Sequence, residues 1–555
     1  MKKYSIIFAV YLLLVQGYLQ AQPLYFKNYQ VSNGLSNNTI NCILQDKQGF
    51  LWFGSRNGLN RFDGKNFKVF RYRKSDAGSI GSSSVHSLCE DSKGNLWAGT
   101  AKGAYIYNSM QERFSLLDKI PAGEVRYIKA AGNDLWMICD FALYRYDTRK
   151  KVVDYRKTQS PVITITTNHT QSILFAALSD GSIEQINLAS NKSAVHKLPA
   201  FKGAGGLTQI QDIYNLNDSL LLVGTFDKVY IANLHERKLK NIFAKQPDIK
   251  RVQVHRFIAQ NDSLFWVGTE AGIYIYHLKT DKVDRIGKET NNPYSLSDNA
   301  VHSFCKDREG GMWIGTFFGG VNYFSEQLNN FRKYMPGTEP NSISGNLIHE
   351  ICRDRYGNMW IGTEDEGLNK IDTITGKITH YRADGKKGNI AYNNIHGLVA
   401  CNDELWIGTL ERGLDVMDIK TGKVIRHYDS DPEGSGLNGN FIVSLYKTKK
   451  NEIIVSTWNG LFKYDRKNDR FIQFPHFNFQ VQSVREGSEG MLWIATYGNG
   501  VYIFNQTTNT FINLRSEAKN RNSLVSNYVN GLYEDHRGNF WFCTEGGLSK
   551  YERSG

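Results

Sequence analysis

The sequence predicts an all-β fold of tandem β-propellers built from four-stranded blades. The first is seven-bladed, and the second has five repeats that form either an incomplete arc or an atypical five-bladed ring. Three observations predict this. The text "DRYGNMWIGT" at 354–363 returns as "DKQGFLWFGS" at 46–55, "DSKGNLWAGT" at 91–100, "DREGGMWIGT" at 307–316 and "DHRGNFWFCT" at 535–544. Aligned on its Trp, the chain has twelve slots: Trp52, Trp97, Trp136, Phe175, Leu222, Trp266, Trp313, Trp360, Trp406, Ile454, Trp493 and Trp541. Their spacing of 39–48 residues is that of a four-stranded blade. Aromatics at 13%, 51 Gly and only 10 Pro describe a strand-rich, turn-rich chain.

Each repeat reads as four strands, first to fourth from inner to outer, as in "AVHSFCKD" (300–307), "GMWIGT" (311–316), "GVNYF" (320–324) and "NFRKYM" (330–335). The turn Asp can accept backbone N–H bonds and the Gly three residues on can take positive φ, so D-x-x-G closes the hairpin between first and second strands. Trp places a flat apolar surface between neighbouring blades, and the Gly and Thr beyond it let the next sheet approach. "LYFKNYQ" at 24–30 reads as an orphan fourth strand completing repeat seven, because a ring gains when its two ends share a blade. By the same logic "NFRKYM" is the orphan fourth strand of the second ring. The expected divisions are a signal peptide at 1–22, a first propeller at 23–329 and a second at 330–555.

"MKK", the apolar run "YSIIFAVYLLLV" and "QGYLQAQ" have the layout of a secretory signal peptide cleaved after Ala21. The run is short for a membrane span, so an uncleaved anchor is the secondary reading. A periplasmic location follows. The net charge is +13 and its excess falls mostly in residues 1–330, which suits an anionic ligand or a solubilising excess of Lys. No dense basic run of the nucleic-acid kind is present, so no nucleic-acid partner is expected. Cys42, Cys89, Cys139, Cys305, Cys352, Cys401 and Cys543 show no zinc spacing and read as small core thiols. No cofactor and no metal are expected.

Loops between second and third strands share a face with the connections entering the first strands. There the sequence gathers aromatic planes with charged or amide groups, the chemistry of sugar recognition. Trp458, the one Trp outside the repeated slot, and Tyr497 are candidate stacking platforms, with Asn499 beside them. Glu364, Asp365, Glu366, Glu411 and Arg412 are candidate hydroxyl-binding groups. Arg56, Phe317 and Phe318 form a rival site suited to a sulfated or uronic-acid glycan. Eleven residues before the Trp slot stand Asn41, His86, Gln211, His255, His302, His349, Gln482 and Asn530, with His396 one residue closer to its Trp. Regular recurrence favours a structural bond repeated in each blade over a ligand contact or a metal. Catalytic residues are not expected, since a glycosidase needs two carboxyls at a defined separation and no nucleotide or nucleophile motif appears.

"LWFGSRNGLNRFDGKNFKVFRY", "MWIGTEDEGLNKID" and "MWIGTFFGGVNYFSEQLNNFRKY" resemble the regulator-propeller repeats of periplasmic sensor regions in Bacteroidetes hybrid two-component systems. The resemblance implies two seven-bladed propellers followed by an immunoglobulin-like sandwich, a membrane span, a histidine kinase, a receiver and a DNA-binding region. The chain ends at "YERSG" after the third strand of repeat twelve, and it reads as such a sensor region truncated before the sandwich, span and kinase. The implied function is recognition of an oligosaccharide or other small extracellular ligand, controlling polysaccharide-use genes when joined to a kinase. A downstream kinase-bearing chain or a homodimer is the implied partner. The alternatives are an exported propeller that binds protein or surface glycan without signalling, and a propeller glycosidase or lyase.

Overall fold

The computed structural model describes residues 24–199, 210–246, 248–249, 251–290, 292–329, 331–337 and 341–553. The expected signal peptide at 1–22 lies outside the described residues. Contacts divide the chain into two units, Met1–Arg332 and Lys333–Gly555. Among the described residues twelve antiparallel sheets follow one another, eleven four-stranded and one three-stranded. We number them 1 to 12 in chain order, with strands first to fourth.

Sheets 1 to 7 make up the first unit. Each first strand lies against the first strand of the next sheet, and the series closes where Val301–Lys306 of sheet 7 meets Ile40–Gln45 of sheet 1. The fourth strand of sheet 7 comes from the opposite end of the unit. Lys27–Tyr29 pairs with Val321–Phe324 in the register Lys27↔Tyr323, Asn28↔Asn322 and Tyr29↔Val321. Tyr29 then stacks on Trp313 at 5.8 Å and meets Phe62 and Phe67 of sheet 1 edge-on, so one strand seals the seam between the two sheets.

The repeated letters build one joint many times. Asp354 Oδ1 accepts the backbone N–H of Tyr356 and of Asn358, both at 2.9 Å, and Gly357 takes φ +86° to complete the turn. Its Oδ2 accepts the indole N–H of Trp360 at 2.9 Å, which ties the hairpin to the intersheet ring. Asp46, Asp91, Asp307 and Asp535 hold Trp52, Trp97, Trp313 and Trp541 in the same way. The Gly beyond the Trp admits the β-branched residue that opens the next sheet: a Cβ on Gly315 would lie 2.7 Å from Ile40 Cγ2. The Thr after it bonds the following turn, as Thr363 Oγ1 donates to Gly367 O at 2.9 Å.

Sheets 8 to 12 make up the second unit, with first strands Ile348–Arg353, Ile395–Cys401, Ile442–Lys447, Val481–Glu486 and Val529–Glu534 in series. This series does not close. Ile348, the counterpart of fully buried Ile40, is 41% exposed, and Cys543, in the Gly slot of sheet 12, is exposed. Of the two expected forms, the unit adopts the open arc. "NFRKYM" does not supply a fourth strand to sheet 12: residues 331–335 carry no strand. Tyr334 instead packs on the core of Ile343, Ile361, Ile371 and Ile378 in sheet 8, where Pro336 bridges Ile343. Burial of Ile343 and Tyr334 there outcompetes pairing at a far sheet edge.

All seven cysteines are free. Cys89, Cys139 and Cys401 are buried as expected, whereas Cys42, Cys305 and Cys352 are half-buried and Cys543 is exposed. Burial pushes the Cys42 thiol up to about 12, leaving it unreactive near neutral pH.

One charge pair gives sheet 9 a pH dependence. His427 Nδ1 lies 2.7 Å from Oδ1 of buried Asp415, whose other oxygen accepts the Ala391 N–H at 2.7 Å. The hydrogen bond to Asp415 raises the His427 pKa above its ordinary value. A raised folded-state pKa contributes stability that is full below the unfolded value of about 6.5 and is lost as pH rises through the folded value. The thermal midpoint of the second unit is therefore expected to fall between about pH 6 and about pH 8 by more in the wild type than in His427→Gln. Equal pH slopes in calorimetry would refute the linkage.

Candidate functional site

Every first strand carries a register shift at its second residue, between Ile40 and Cys42 in sheet 1 and at the equivalent place through to Val529 and Gly531 in sheet 12. A bulge leaves one residue unpaired and re-aims its side chain. The bulged residues include Asn41, His86, Gln211, His255, His302, His349, His396, Gln482 and Asn530, the polar series read from the sequence. The second-to-third-strand turns lie beside them. Their leading residues donate backbone N–H groups to the connections entering the first strands: Phe317 to Ala300 O at 2.9 Å, Glu364 to Leu347 O at 2.9 Å and Trp458 to Phe441 O at 3.2 Å.

In the second unit these pieces form a continuous wall. Trp458, 54% exposed, stacks on Phe441 with ring centres 5.5 Å apart at 24°. Phe441 meets His396 edge-on at 5.2 Å, and His396 lies 4.2 Å from His349. Together with Glu350, Gln482, Arg485 and Asn530 they line a cavity of about 610 Å³. Burial holds the His396 pKa below its ordinary value and pushes Glu350 up to about 7. Glu350 can thus offer a carboxyl O–H to a ligand hydroxyl near neutral pH. Tyr497, at the turn of sheet 11, pairs edge-on at 4.9 Å with Tyr528, the residue that enters sheet 12.

The other candidates divide. Asp365 Oδ2 accepts the Asn346 N–H at 3.2 Å and Glu366 pairs with Arg382 at 2.7 Å, so both brace loops. Glu364 approaches His349 at 3.9 Å. Glu411 and Arg412 are exposed, and the Arg412 backbone N–H donates to Thr409 Oγ1 at 2.9 Å. Asn499 is fixed by the same kind of bond to Thr496. None of Glu411, Arg412, Tyr497 and Asn499 lines the cavity.

In the first unit Arg56 lies over Phe317 at 4.5 Å, Phe318 is 72% exposed, and Phe317 packs on His302 at 5.1 Å. His302 and His255 have ring centres 4.0 Å apart, with Glu270 against both. Burial lowers both imidazole pKa values, that of His302 to about 4 with His255 adding to the fall. In the same unit, Arg256 reaches Asp212 at 3.3 Å and lies over Tyr127 at 4.9 Å. Sequence reasoning missed Phe441, Tyr528, Glu350 and Glu270. Glu270 stood in plain view, since it directly follows the repeat Thr, as Phe317, Glu364, Trp458 and Tyr497 do.

Residues 34–57, 79–102, 295–318, 342–365 and 523–546 match the family model for two component regulator propeller repeats. The chain therefore carries repeats of that kind on an all-β propeller scaffold. Over 55 residues it is 47% identical to histidine kinase P4 of Formosa agariphila, a stretch covering 10% of this chain and 4% of that protein. It also shares the fold of the extracellular domain of a putative hybrid two component system from B. thetaiotaomicron, at 23% identity and a TM-score of 0.65. That likeness covers 96% of this chain and 77% of the other. Among the described residues no helix is long and apolar enough to cross a membrane.

Proposed function

We propose that this chain is an exported ligand-sensing propeller region of the hybrid two-component kind, and that it recognises glycan fragments on the bulge-and-turn face of the second unit. The observation that carries the reading is the exposed Trp458 plane stacked on Phe441 at the rim of the 610 Å³ cavity. An aromatic face suits the C–H side of a sugar ring, and Gln482, Asn530, Arg485 and Glu350 supply amide, guanidinium and carboxyl groups for its hydroxyls. The repeats and the fold shared with a two-component extracellular domain support the sensing role. Joined to a kinase, occupancy of this face would become a signal. A site around Arg56, Phe317 and Phe318 is the rival for acidic glycans, because Arg56 offers a charge over an aromatic plane.

Calorimetry with neutral and acidic oligosaccharides decides between them. Trp458→Ala is expected to weaken binding of a neutral ligand about three- to tenfold, the worth of one stacking contact, with little dependence on salt. Binding led by Arg56 would weaken as ionic strength rises and would fall in Arg56→Ala. A glycan that binds with unchanged affinity in both variants would remove this face from consideration.

A further inference from the structure

The His255, Glu270 and His302 group has no role in the proposed glycan cavity, which belongs to the second unit. His255 and His302 are the bulged residues of sheets 6 and 7, and Glu270 opens the turn between the second and third strands of sheet 6. Bulging turns both imidazoles toward one carboxylate: Glu270 Oε1 lies 2.7 Å from His255 Nε2 and 3.6 Å from His302 Nε2. One ligand atom from each residue lies within 4.8 Å of the others.

A hydrogen-bonded stack accounts for only half of this arrangement. His255 is satisfied by Glu270, but His302 Nε2 is shielded from solvent and has no hydrogen-bond partner. Buried polar atoms without partners are uncommon, and an unexplained one facing a carboxylate and a second imidazole calls for a ligand. Two imidazole nitrogens and one carboxylate oxygen are the donor set of a zinc site that leaves a fourth position open. Tetrahedral bonds of about 2.0–2.1 Å place ligand atoms roughly 3.3 Å apart, close to the 2.7 and 3.6 Å found here. Binding needs a splaying of the two rings, which now stand 31° from parallel.

We propose that His255, Glu270 and His302 bind a divalent transition-metal ion, zinc by preference, on the bulge-and-turn face of the first unit. Imidazole with carboxylate suits zinc over calcium or magnesium, which take oxygen ligands. Phe317 walls one side of the site against His302, and the fourth position would be left to water or a ligand donor. The second unit repeats the construction in His349, Glu364 and His396. There the nearer contact is a longer 3.9 Å, so it serves as an internal comparison.

The test uses the whole mature chain without a polyhistidine tag, carrying Cys543→Ser to remove the exposed thiol. After chelator treatment it is titrated with zinc chloride by calorimetry and with cobalt(II) by visible absorption. The expected result is a saturable site with an intense tetrahedral cobalt spectrum. His302→Ala and the surface variant Glu270→Gln should each weaken it about 10–100-fold or more, since even outer-shell changes reach that range. His349→Ala should leave it unchanged. No saturable uptake, uptake unaltered by both first-unit variants, or uptake lost only in His349→Ala would each overturn the assignment. Circular dichroism and thermal midpoints verify folding, and Glu270→Gln keeps the test decisive if His302→Ala fails to fold.

Discussion

Replacing Trp360 by alanine is expected to cost about 3–5 kcal/mol, the range for truncating a large buried aromatic. Its indole is fully buried among Leu368, Ile390, Ile395 and Leu398, so it fills the joint between sheets 8 and 9. The same ring donates its N–H to Asp354, which also fastens the turn through Tyr356 and Asn358. The loss should therefore reach two places, the hairpin at 354–358 and the neighbouring strand Ile395–Cys401. Sheet 8 packs on one neighbouring sheet in the series, so the strain has one direction in which to spread. Trp360→Phe keeps most of the packing and loses the indole hydrogen bond, whose net worth is about 1 kcal/mol. Denaturant midpoints should rank wild type, Phe and Ala in that order. Hydrogen exchange should rise in Ile395–Cys401 for the alanine variant, and unchanged exchange there would refute an intersheet role for the slot.

The parts of this fold legible in the sequence are those written locally and repeatedly. The Asp, Gly, Trp, Gly and Thr of the opening stretch each do their work within one hairpin or against the sheet beside it, so their spacing survives as a period. The outer strand Lys27–Tyr29 was legible on another ground: a ring gains when its two ends share a blade, and "LYFKNYQ" at 24–30 reads as the missing fourth strand of sheet 7. "NFRKYM" has a similar pattern, yet Tyr334 is drawn to the core of sheet 8, a competition between distant partners that no local pattern records. The candidate face was half legible. Trp458 stood out as the unmatched Trp, and the polar series stood out by recurrence. Its cause, a register shift in every first strand, is a property of pairing and leaves no letter of its own. Phe441 and Tyr528 each sit just before the β-branched residue opening a sheet, a place that carries no repeated letter, so no period points to them. Asp365 and Glu366 looked available until the backbone of Asn346 and the side chain of Arg382 claimed them.

Removing residues 24–30 should open the first unit, with a larger loss than any single substitution within that strand. The segment buries Tyr25 and Phe26, supplies the outer strand of sheet 7 and places Tyr29 between Trp313, Phe62 and Phe67. Phe26 alone, packed with Trp266, Leu296 and Phe324, is worth about 3–5 kcal/mol by the same truncation scale. Its backbone N–H also bonds Tyr294 O at 2.7 Å, fastening the connection that leads into sheet 7. Without the segment, Val321–Phe324 becomes a bare edge and the seam core of Leu35, Ile40, Phe53 and Trp313 loses one wall. A chain beginning at Val31 should show a lowered midpoint, with exchange rising first in Val301–Lys306 and Ile40–Gln45, the two strands that meet across the seam. Phe26→Ala should show the same spatial pattern at smaller amplitude, which preserves the test if the shortened chain cannot be purified. Wild-type protection of both strands in either variant would mean that the ring is held closed by the inner strands alone, with the N-terminal segment merely resting on its rim.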